Sequence, residues 1–282
     1  MKHIFLYGAL LCGSAFLAAN EPRDVWKADE YHQNSSSQKS AASDLIKYVV
    51  VKPNGKILDV GCGDGKITAE LAALAPQGSL VGVDISPSMI AFATETFPAE
   101  RFPNLRFVLK DAQKLDYDQE FDVVFSFTTQ QWIQDHAAFL KGAHKSLKPM
   151  GTLAVTMPTG LPSALKQAVD EVVAAHEWAS YFTSFNTGWN FAGAKEYSAH
   201  LSEQHFATVR LSLVPQIDIF PSRAVFEKFI SQWFPYLRPL PEELKKSFMT
   251  QVLDRYLALE SPFPNGEVHF KIQRLEVIAL KK

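Results

Sequence analysis

The feature that most constrains this chain is the stretch at 57–65, ILDVGCGDG, in which an apolar run is followed by glycine at alternate positions. Glycine has no Cβ, so its backbone can take positive φ and lie flat against a ligand. A strand, a glycine turn and a helix together place bare backbone and a helix N-terminus at the carboxyl edge of a parallel sheet, where such sheets bind ligands. The stretch therefore predicts an α/β sheet with a ligand at this turn.

Apolar periodicity on both sides of the turn supports this interpretation. Short apolar runs bounded by Gly, Pro and Asn predict strands at 56–60, 79–83, 105–109, 121–125 and 152–157. Helical spacing of apolar residues predicts helices at 41–51, 66–75, 87–96 and 137–147, whereas the polar segment before them, WKADEYHQNSSSQ, is predicted to be poor in helix. Strands that alternate with helices indicate a parallel, doubly wound sheet.

The pattern changes after Pro158. Helical pieces rich in aromatic residues cover 163–205, an alternating strand follows at 209–213, and two helices are predicted at 222–233 and 241–259. The last alternating run, at 268–279, changes phase at Gln273 and Arg274, which predicts a β-bulge there.

Composition excludes several classes of function. The 282 residues are 47% apolar with a net charge of −2. The chain therefore has no excess of basic residues, and we expect no nucleic-acid partner. Cys12 and Cys62 do not have metal-ligand spacing, and the eight histidines are scattered. We therefore expect no metal site and no disulfide scaffold.

The residues around the glycine turn indicate which class of ligand it binds. The dinucleotide fingerprint Gly-x-Gly-x-x-Gly would need a glycine at the position of Lys66, so a pyrophosphate, and with it a nicotinamide oxidoreductase, is disfavoured. Asp84 ends the second strand, where a carboxylate can accept both hydroxyls of a ribose. Asp59, at the mouth of the turn, can face a cationic group. A ligand with a ribose and a positive charge fits best.

Four ordered segments carry a family resemblance: ILDVGCGDG, VGVDISPSMI, KDAQKLDYDQEFDVVFSFTTQQWI and LKPMGTLAVTMP. Over about 26–158 they resemble the motifs of class I S-adenosylmethionine-dependent methyltransferases. The resemblance implies S-adenosyl-L-methionine as cofactor, held at its methionine moiety by Gly61, Cys62 and Gly63, at its ribose by Asp84, and at its adenine by Ile85, Asp111 and Ala112.

It also implies a Rossmann-like, doubly wound α/β fold: a mostly parallel seven-stranded sheet with an antiparallel last strand and a helical cap insertion after strand 5. The expected methyltransferase domain spans 21–282, with a cofactor-binding core at about 40–158, the cap at about 159–206, and C-terminal strands and helices at about 207–282. We expect a monomer that binds a small-molecule acceptor.

Within the class, YHQNSSSQ, FTTQQWIQDHAAFL and the tail at 220–280 look like the subgroup of trans-aconitate and juvenile-hormone-acid methyltransferases, which methylate carboxylates of small molecules. By that resemblance Tyr31 and Gln38 close over the cofactor, and Gln131 and Trp132 donate hydrogen bonds to the acceptor carboxylate. Met150 departs from the subgroup, which usually has glycine in that turn.

Two functional interpretations follow. In the first, the cap covers an acceptor pocket and the chain methylates a carboxylate, which needs no base; a hydroxyl or amine acceptor would need one, and His136 is the nearest histidine. We interpret His136 as a helix-start residue. In the second, the chain is a methyltransferase-like binding or regulatory protein without turnover.

The N-terminus is typical of a secretory signal peptide. Lys2 and His3 precede an apolar run at 4–19 that is short for a membrane span, which needs roughly 20 residues. Residues 1–20 are therefore predicted to be a signal-like leader. Because S-adenosylmethionine is made in the cytosol, either the chain is exported to a compartment that holds the cofactor or the leader is an uncleaved membrane anchor.

Overall fold

The computed structural model describes residues 24, 26–260, 263 and 265–282. The predicted leader lies outside the described residues. Among the described helices none is long and apolar enough to cross a membrane.

The described residues form one seven-stranded sheet with the order β3-β2-β1-β4-β5-β7-β6. Its strands are β1 (Lys56–Val60), β2 (Ser79–Asp84), β3 (Leu105–Leu109), β4 (Phe121–Phe127), β5 (Leu147–Pro158), β6 (Phe206–Phe220) and β7 (Val268–Lys281). The pairs from β3 to β5 are parallel, and β7 runs antiparallel to both of its neighbours. The predicted fold class, with its antiparallel last strand, is confirmed.

Helices cover both faces of the sheet. They are α1 (Ala28–Asn34), α2 (Ser36–Ile46), α3 (Lys66–Leu74), α4 (Pro87–Thr96), α5 (His136–Ser146), α6 (Ser163–Ala174), α7 (Ala194–Glu203), α8 (Arg223–Ser231) and α9 (Glu242–Leu259). One apolar cluster packs α5 and α7 against one face, and a second packs α2 and α3 against the other. A third joins α6, α8 and α9 to the start of β7.

The segment predicted to be poor in helix is helical, so that prediction was wrong. It forms α1 and the first turn of α2, and the helix predicted at 41–51 begins at Ser36 and ends at Ile46. Long-range polar contacts stabilise these helices: His32 Nδ1 lies 2.8 Å from Asp64 Oδ2, and Ser37 Oγ donates to Asp218 Oδ2 at 2.6 Å. Polar residues here are buried by tertiary partners, which local sequence does not reveal.

The bulge predicted at Gln273 and Arg274 was also wrong. Strand β7 pairs with β6 in regular register through both residues, and the register shift lies in β6 between Thr208 and Arg210. The phase of the sequence changes because β7 enters the sheet interior at Arg274, where it begins to pair with β5 as well as β6. From there both of its faces are buried, and one face carries the polar residues Arg274 and Glu276.

Candidate active site

The glycine turn after β1 is fixed against the end of β2. The N–H groups of Gly61 and Cys62 donate to the Val83 carbonyl at 2.8 and 3.0 Å. Gly61 has φ +77°, and a Cβ there would lie 2.2 Å from Thr129 Oγ1, so this position requires glycine. A Cβ on Gly63 would meet only Tyr31, at 3.8 Å, although φ is +53°. The absence of a side chain at Gly61 therefore allows close packing against Thr129, whereas Gly63 borders open space.

Asp84 links this turn to the next one. Its Oδ2 accepts from the Gly63 N–H and its Oδ1 from the Ser86 N–H, both at 2.9 Å. Burial raises the pKa of Asp84, while these backbone donors oppose the shift. Ile85 follows with 54% of its surface exposed. An anchored carboxylate beside an exposed apolar side chain suits a ribose and an adenine, and these roles of Asp84 and Ile85 stay predictions.

Asp111 and Ala112 lie at the neighbouring strand end. The Lys110 N–H donates to the Asp84 carbonyl at 2.8 Å, which brings the end of β3 beside the end of β2. Asp111 Oδ1 accepts from the Gln113 N–H at 2.9 Å and begins a short 3₁₀ helix, Ala112–Lys114. The structure thus brings Asp84, Asp111 and Ala112 to one edge of the sheet.

Asp59 is 1% exposed, and only one of its carboxyl oxygens has a partner. Oδ2 accepts from Thr68 Oγ1 at 2.7 Å, whereas Oδ1 has no hydrogen-bond partner in the described part of the chain. Burial raises the pKa of Asp59 to about 7. Its side chain lines a small cavity together with Gly61, Cys62 and Gly63. An unpaired, buried carboxyl oxygen at this place suits a cationic ligand group.

Cys62 is buried beside Asp59 and does not point to redox or nucleophilic chemistry. The residue is 7% exposed, and burial raises the pKa of the Cys62 thiol well above its ordinary value. The thiolate is the reactive form of cysteine, and a raised pKa disfavours it. Cys62 therefore contributes to the cavity only as a lining side chain.

The N-terminal helices cover the turn. Tyr31 and Gln38 line both the small cavity of the glycine turn and a larger cleft beside it. Lys66 Nζ donates to the His32 carbonyl at 2.8 Å, and Asp24 accepts from Ser86 Oγ at 2.8 Å. Sequence reasoning missed His32 and Asp24, because their partners are set by tertiary packing.

The larger cleft has a volume of about 760 Å³ including its open mouth. Eight aromatic side chains line it: Trp26, Tyr31, Trp132, Trp189, Phe191, Phe229, Trp233 and Phe270. Trp132 is central among them, with its ring centroid 5.4 Å from that of Trp26 and 6.0 Å from that of Trp189. Polar side chains on α2, after β4 and on β5, β6 and β7 complete the lining: Ser37, Gln38, Thr128, Gln131, Thr156, Gln216 and Arg274.

Gln131 lies in the cleft but does not offer the donor that the sequence predicted. Its Nε2 donates to the Thr128 carbonyl at 2.8 Å, and its buried Oε1 has no hydrogen-bond partner among the described residues. The Thr128 carbonyl fixes the amide in this orientation, because the reverse would place two oxygens in contact. The atom that Gln131 presents is therefore an acceptor.

His136 is buried away from the cleft lining. Its Nε2 lies 2.9 Å from the Gln130 carbonyl, and its ring packs edge-on against Tyr197. The residue begins α5, as the sequence predicted.

The family can now be assigned. A family profile described as "Methyltransferase domain" matches residues 51–206. The chain belongs to this family. The methyltransferase is 29% identical over 266 residues to a trans-aconitate 2-methyltransferase of Deinococcus radiodurans, with 91% of this chain and 98% of that protein covered.

Solved structures share its fold at low sequence identity. A putative methyltransferase of Bacillus halodurans gives a TM-score of 0.60 at 18% identity, covering 86% of this chain and 99% of that one. A geranyl diphosphate C-methyltransferase of Streptomyces coelicolor A3(2), solved with S-adenosyl-L-homocysteine, gives 0.53 at 14% identity, covering 89% and 80%.

Membership of the methyltransferase family implies S-adenosylmethionine as cofactor. The residues at the glycine turn fit this molecule. The unpaired oxygen of Asp59 suits its positive charge, Asp84 lies where a ribose can be held, and Gly63 leaves the backbone bare. When bound, the cofactor supplies an activated methyl group.

Proposed function

We propose that this methyltransferase methylates a carboxylate oxygen of a small acceptor held in the aromatic cleft. The observation that carries the proposal is the titratable part of the cleft lining, which consists of Tyr31 and Arg274 within the described residues. Burial raises the pKa of Tyr31 well above its ordinary value, and arginine stays protonated in proteins. Both side chains keep their protons at neutral pH, so the lining suits an acceptor that is already an anion.

A carboxylic acid meets this requirement, because its ordinary pKa near 4 leaves it ionised at neutral pH. A hydroxyl group would need a base to remove its proton in the transition state. The relatives named trans-aconitate 2-methyltransferase, which align along nearly the whole chain, support the same choice. Their name describes methyl transfer to an organic acid.

The protein's own contribution is orientation and exclusion of water. Holding two reactants in line can supply several kcal/mol of the barrier reduction, roughly 7 to 11 in favourable cases. Trp132 remains the proposed donor to the acceptor carboxylate, with Trp26 and Trp189 fixing its ring. The carbonyl oxygen of Gln131 carries partial negative charge, which complements the positive charge of the cofactor.

The test is a methyl-transfer assay over a library of small carboxylic acids, amines and alcohols, with S-adenosylhomocysteine release as the readout. Products are identified by mass and by their hydrolysis in mild base, which cleaves methyl esters and leaves methyl ethers and methylamines intact. We expect base-labile methyl esters. Turnover of amines or alcohols with no ester product would refute the proposal, and Asp84→Ala, in which we expect weakened cofactor binding, is the control variant.

A further inference from the structure

Unpaired buried polar atoms converge on the cleft. Among the described residues, the side chains with a buried nitrogen or oxygen that lacks a hydrogen-bond partner include five that line it: Gln38, Gln131, Thr156, Gln216 and Arg274. A buried polar atom without a partner costs about 1 to 3 kcal/mol, and more when it is charged. The amide oxygens of Gln38, Gln131 and Gln216 only accept hydrogen bonds, so the atoms that can donate to an anionic ligand belong to Thr156 and Arg274.

Arg274 is the charged member of this set. It lies on β7 opposite Pro158 of β5, and its side chain is 5% exposed. Its Nη2 donates to Asp44 Oδ2 at 2.8 Å and lies 3.2 Å from Glu276 Oε1. Both carboxylates thus meet the same nitrogen, and Nε and Nη1 have no hydrogen-bond partner in the described part of the chain.

The neighbouring carboxylates are shared with other cations. Asp44 also accepts from Lys47 Nζ at 2.9 Å. Glu276 Oε2 accepts from both Nε and Nη2 of Arg210, at 3.0 and 2.8 Å. Each carboxylate is therefore shared with a second cation, so neither is committed to Arg274 alone.

One further carboxylate lies nearby but faces elsewhere. Asp218 accepts from Ser37 Oγ and from Gln216 Nε2, and it lines a separate hollow. These bonds also fix the amide of Gln216, whose buried Oε1 has no hydrogen-bond partner among the described residues. Asp218 thus orients Gln216 and does not pair with Arg274.

The order of strands separates Arg274 from the cofactor. The glycine turn follows β1, Gln131 follows β4, Thr156 lies on β5 and Arg274 on β7, and these strands are successive neighbours in the sheet. With strands about 4.8 Å apart, Arg274 lies roughly 14 Å across the sheet from β1 and roughly 10 Å from β4. An acceptor whose reacting group lies near the cofactor would place its opposite end at Arg274.

We propose that Arg274 is a specificity-determining residue that binds a second, non-reacting carboxylate of the acceptor at the inner end of the cleft. The unpaired N–H groups of its guanidinium donate to that carboxylate, and the aromatic walls hold the apolar part of the acceptor between the two ends. This inference rests on the proposed function for the identity of the reacting group. Its test below measures binding, so it can fail or succeed separately from turnover.

The experiment measures equilibrium binding to the full chain saturated with S-adenosylhomocysteine. Its readout is tryptophan fluorescence, because four of the five tryptophans line the cleft. The probes are α,ω-dicarboxylates of increasing chain length and the matched monoamides, which replace one carboxylate by a neutral group of the same shape. We expect the best dicarboxylate to bind at least about tenfold more tightly than its monoamide, as a hydrogen bond to a charged group predicts.

Arg274→Met should abolish this preference and leave affinity for S-adenosylhomocysteine unchanged, and Arg274→Gln is the second variant in case the first does not fold. The matched control is Arg210→Met, which also removes a partner of Glu276 but does not line the cleft; it should retain the preference.

Equal binding of dicarboxylates and monoamides by the wild-type protein, or an unchanged preference in a folded Arg274 variant, would overturn the inference. A clear preference without methyl ester formation on any acid would instead refute the proposed function and leave Arg274 as a carboxylate-binding residue.

Discussion

Replacing Asp59 by asparagine should flatten the pH dependence of stability in the range where this buried carboxyl ionises. Burial raises the pKa of Asp59 from 3.8 to about 7, against the opposing hydrogen bond from Thr68, and the negative charges of Asp84 and Asp64 add to the rise. Because the folded pKa lies above the unfolded one, the protonated form stabilises the fold. That stabilisation is complete below the unfolded pKa and is lost as the pH rises through about 7.

The size of the effect follows from linkage. Between about pH 5 and about pH 8.5, this one group should lower the free energy of unfolding of the wild-type protein by roughly 2 to 3 kcal/mol relative to Asp59→Asn. Asparagine keeps the acceptor for Thr68 but cannot ionise, so the variant lacks this part of the pH dependence.

The assay is urea unfolding at several pH values without cofactor, followed by far-ultraviolet circular dichroism, for both proteins. Asp116→Asn is the matched control, because Asp116 is an exposed carboxylate whose pKa is lowered by Lys110. Its difference from wild type should stay constant over this range. Parallel curves for wild type and Asp59→Asn would refute the argument that the buried carboxyl is protonated in the folded protein.

Three further outcomes are expected. Asp84→Ala should lower S-adenosylmethionine affinity at least about tenfold by calorimetry, since a charged acceptor for ribose hydroxyls is lost; unchanged affinity in a folded variant would contradict the site. Both glycines have positive φ, so valine strains the turn at either position. Gly61→Val should lose more stability in thermal unfolding because its side chain would also meet Thr129, whereas Gly63→Val should fail to bind the cofactor; equal melting temperatures would count against this contrast. Trp132→Phe should lower kcat/KM for the acceptor by about 10- to 150-fold with cofactor affinity unchanged, and a loss confined to cofactor affinity would show that Trp132 serves the other cavity.

The sheet could be predicted from sequence because its signals are local. Strands β1, β2 and β5 end at or just before Gly61, Asp84 and Pro158, and the turn from Gly61 to Gly65 marks the proposed cofactor site. The N-terminal helices could not be predicted in this way, since Ser37 and His32 are polar residues whose partners lie far along the chain.

The acceptor cleft was predicted only in part for the same reason. Trp132 and Gln131 lie in a motif, although the orientation of the Gln131 amide depends on one backbone carbonyl. Arg274 meets Asp44 across 230 positions of sequence, through a strand order that places β7 between β5 and β6. In the sequence, Arg274 looked only like the site of a bulge.

The shared wall between the two cavities has a kinetic consequence. Tyr31 and Gln38 border both the glycine turn and the aromatic cleft, so the helices that cover the cofactor also form part of the acceptor's surface. An acceptor that arrives first would lie against this shared surface and obstruct entry of the cofactor to the cavity of the glycine turn. The reaction should therefore follow a compulsory order, with S-adenosylmethionine binding first and S-adenosylhomocysteine leaving last. Product inhibition by S-adenosylhomocysteine should then be competitive with the cofactor alone, and a random-order pattern would contradict this.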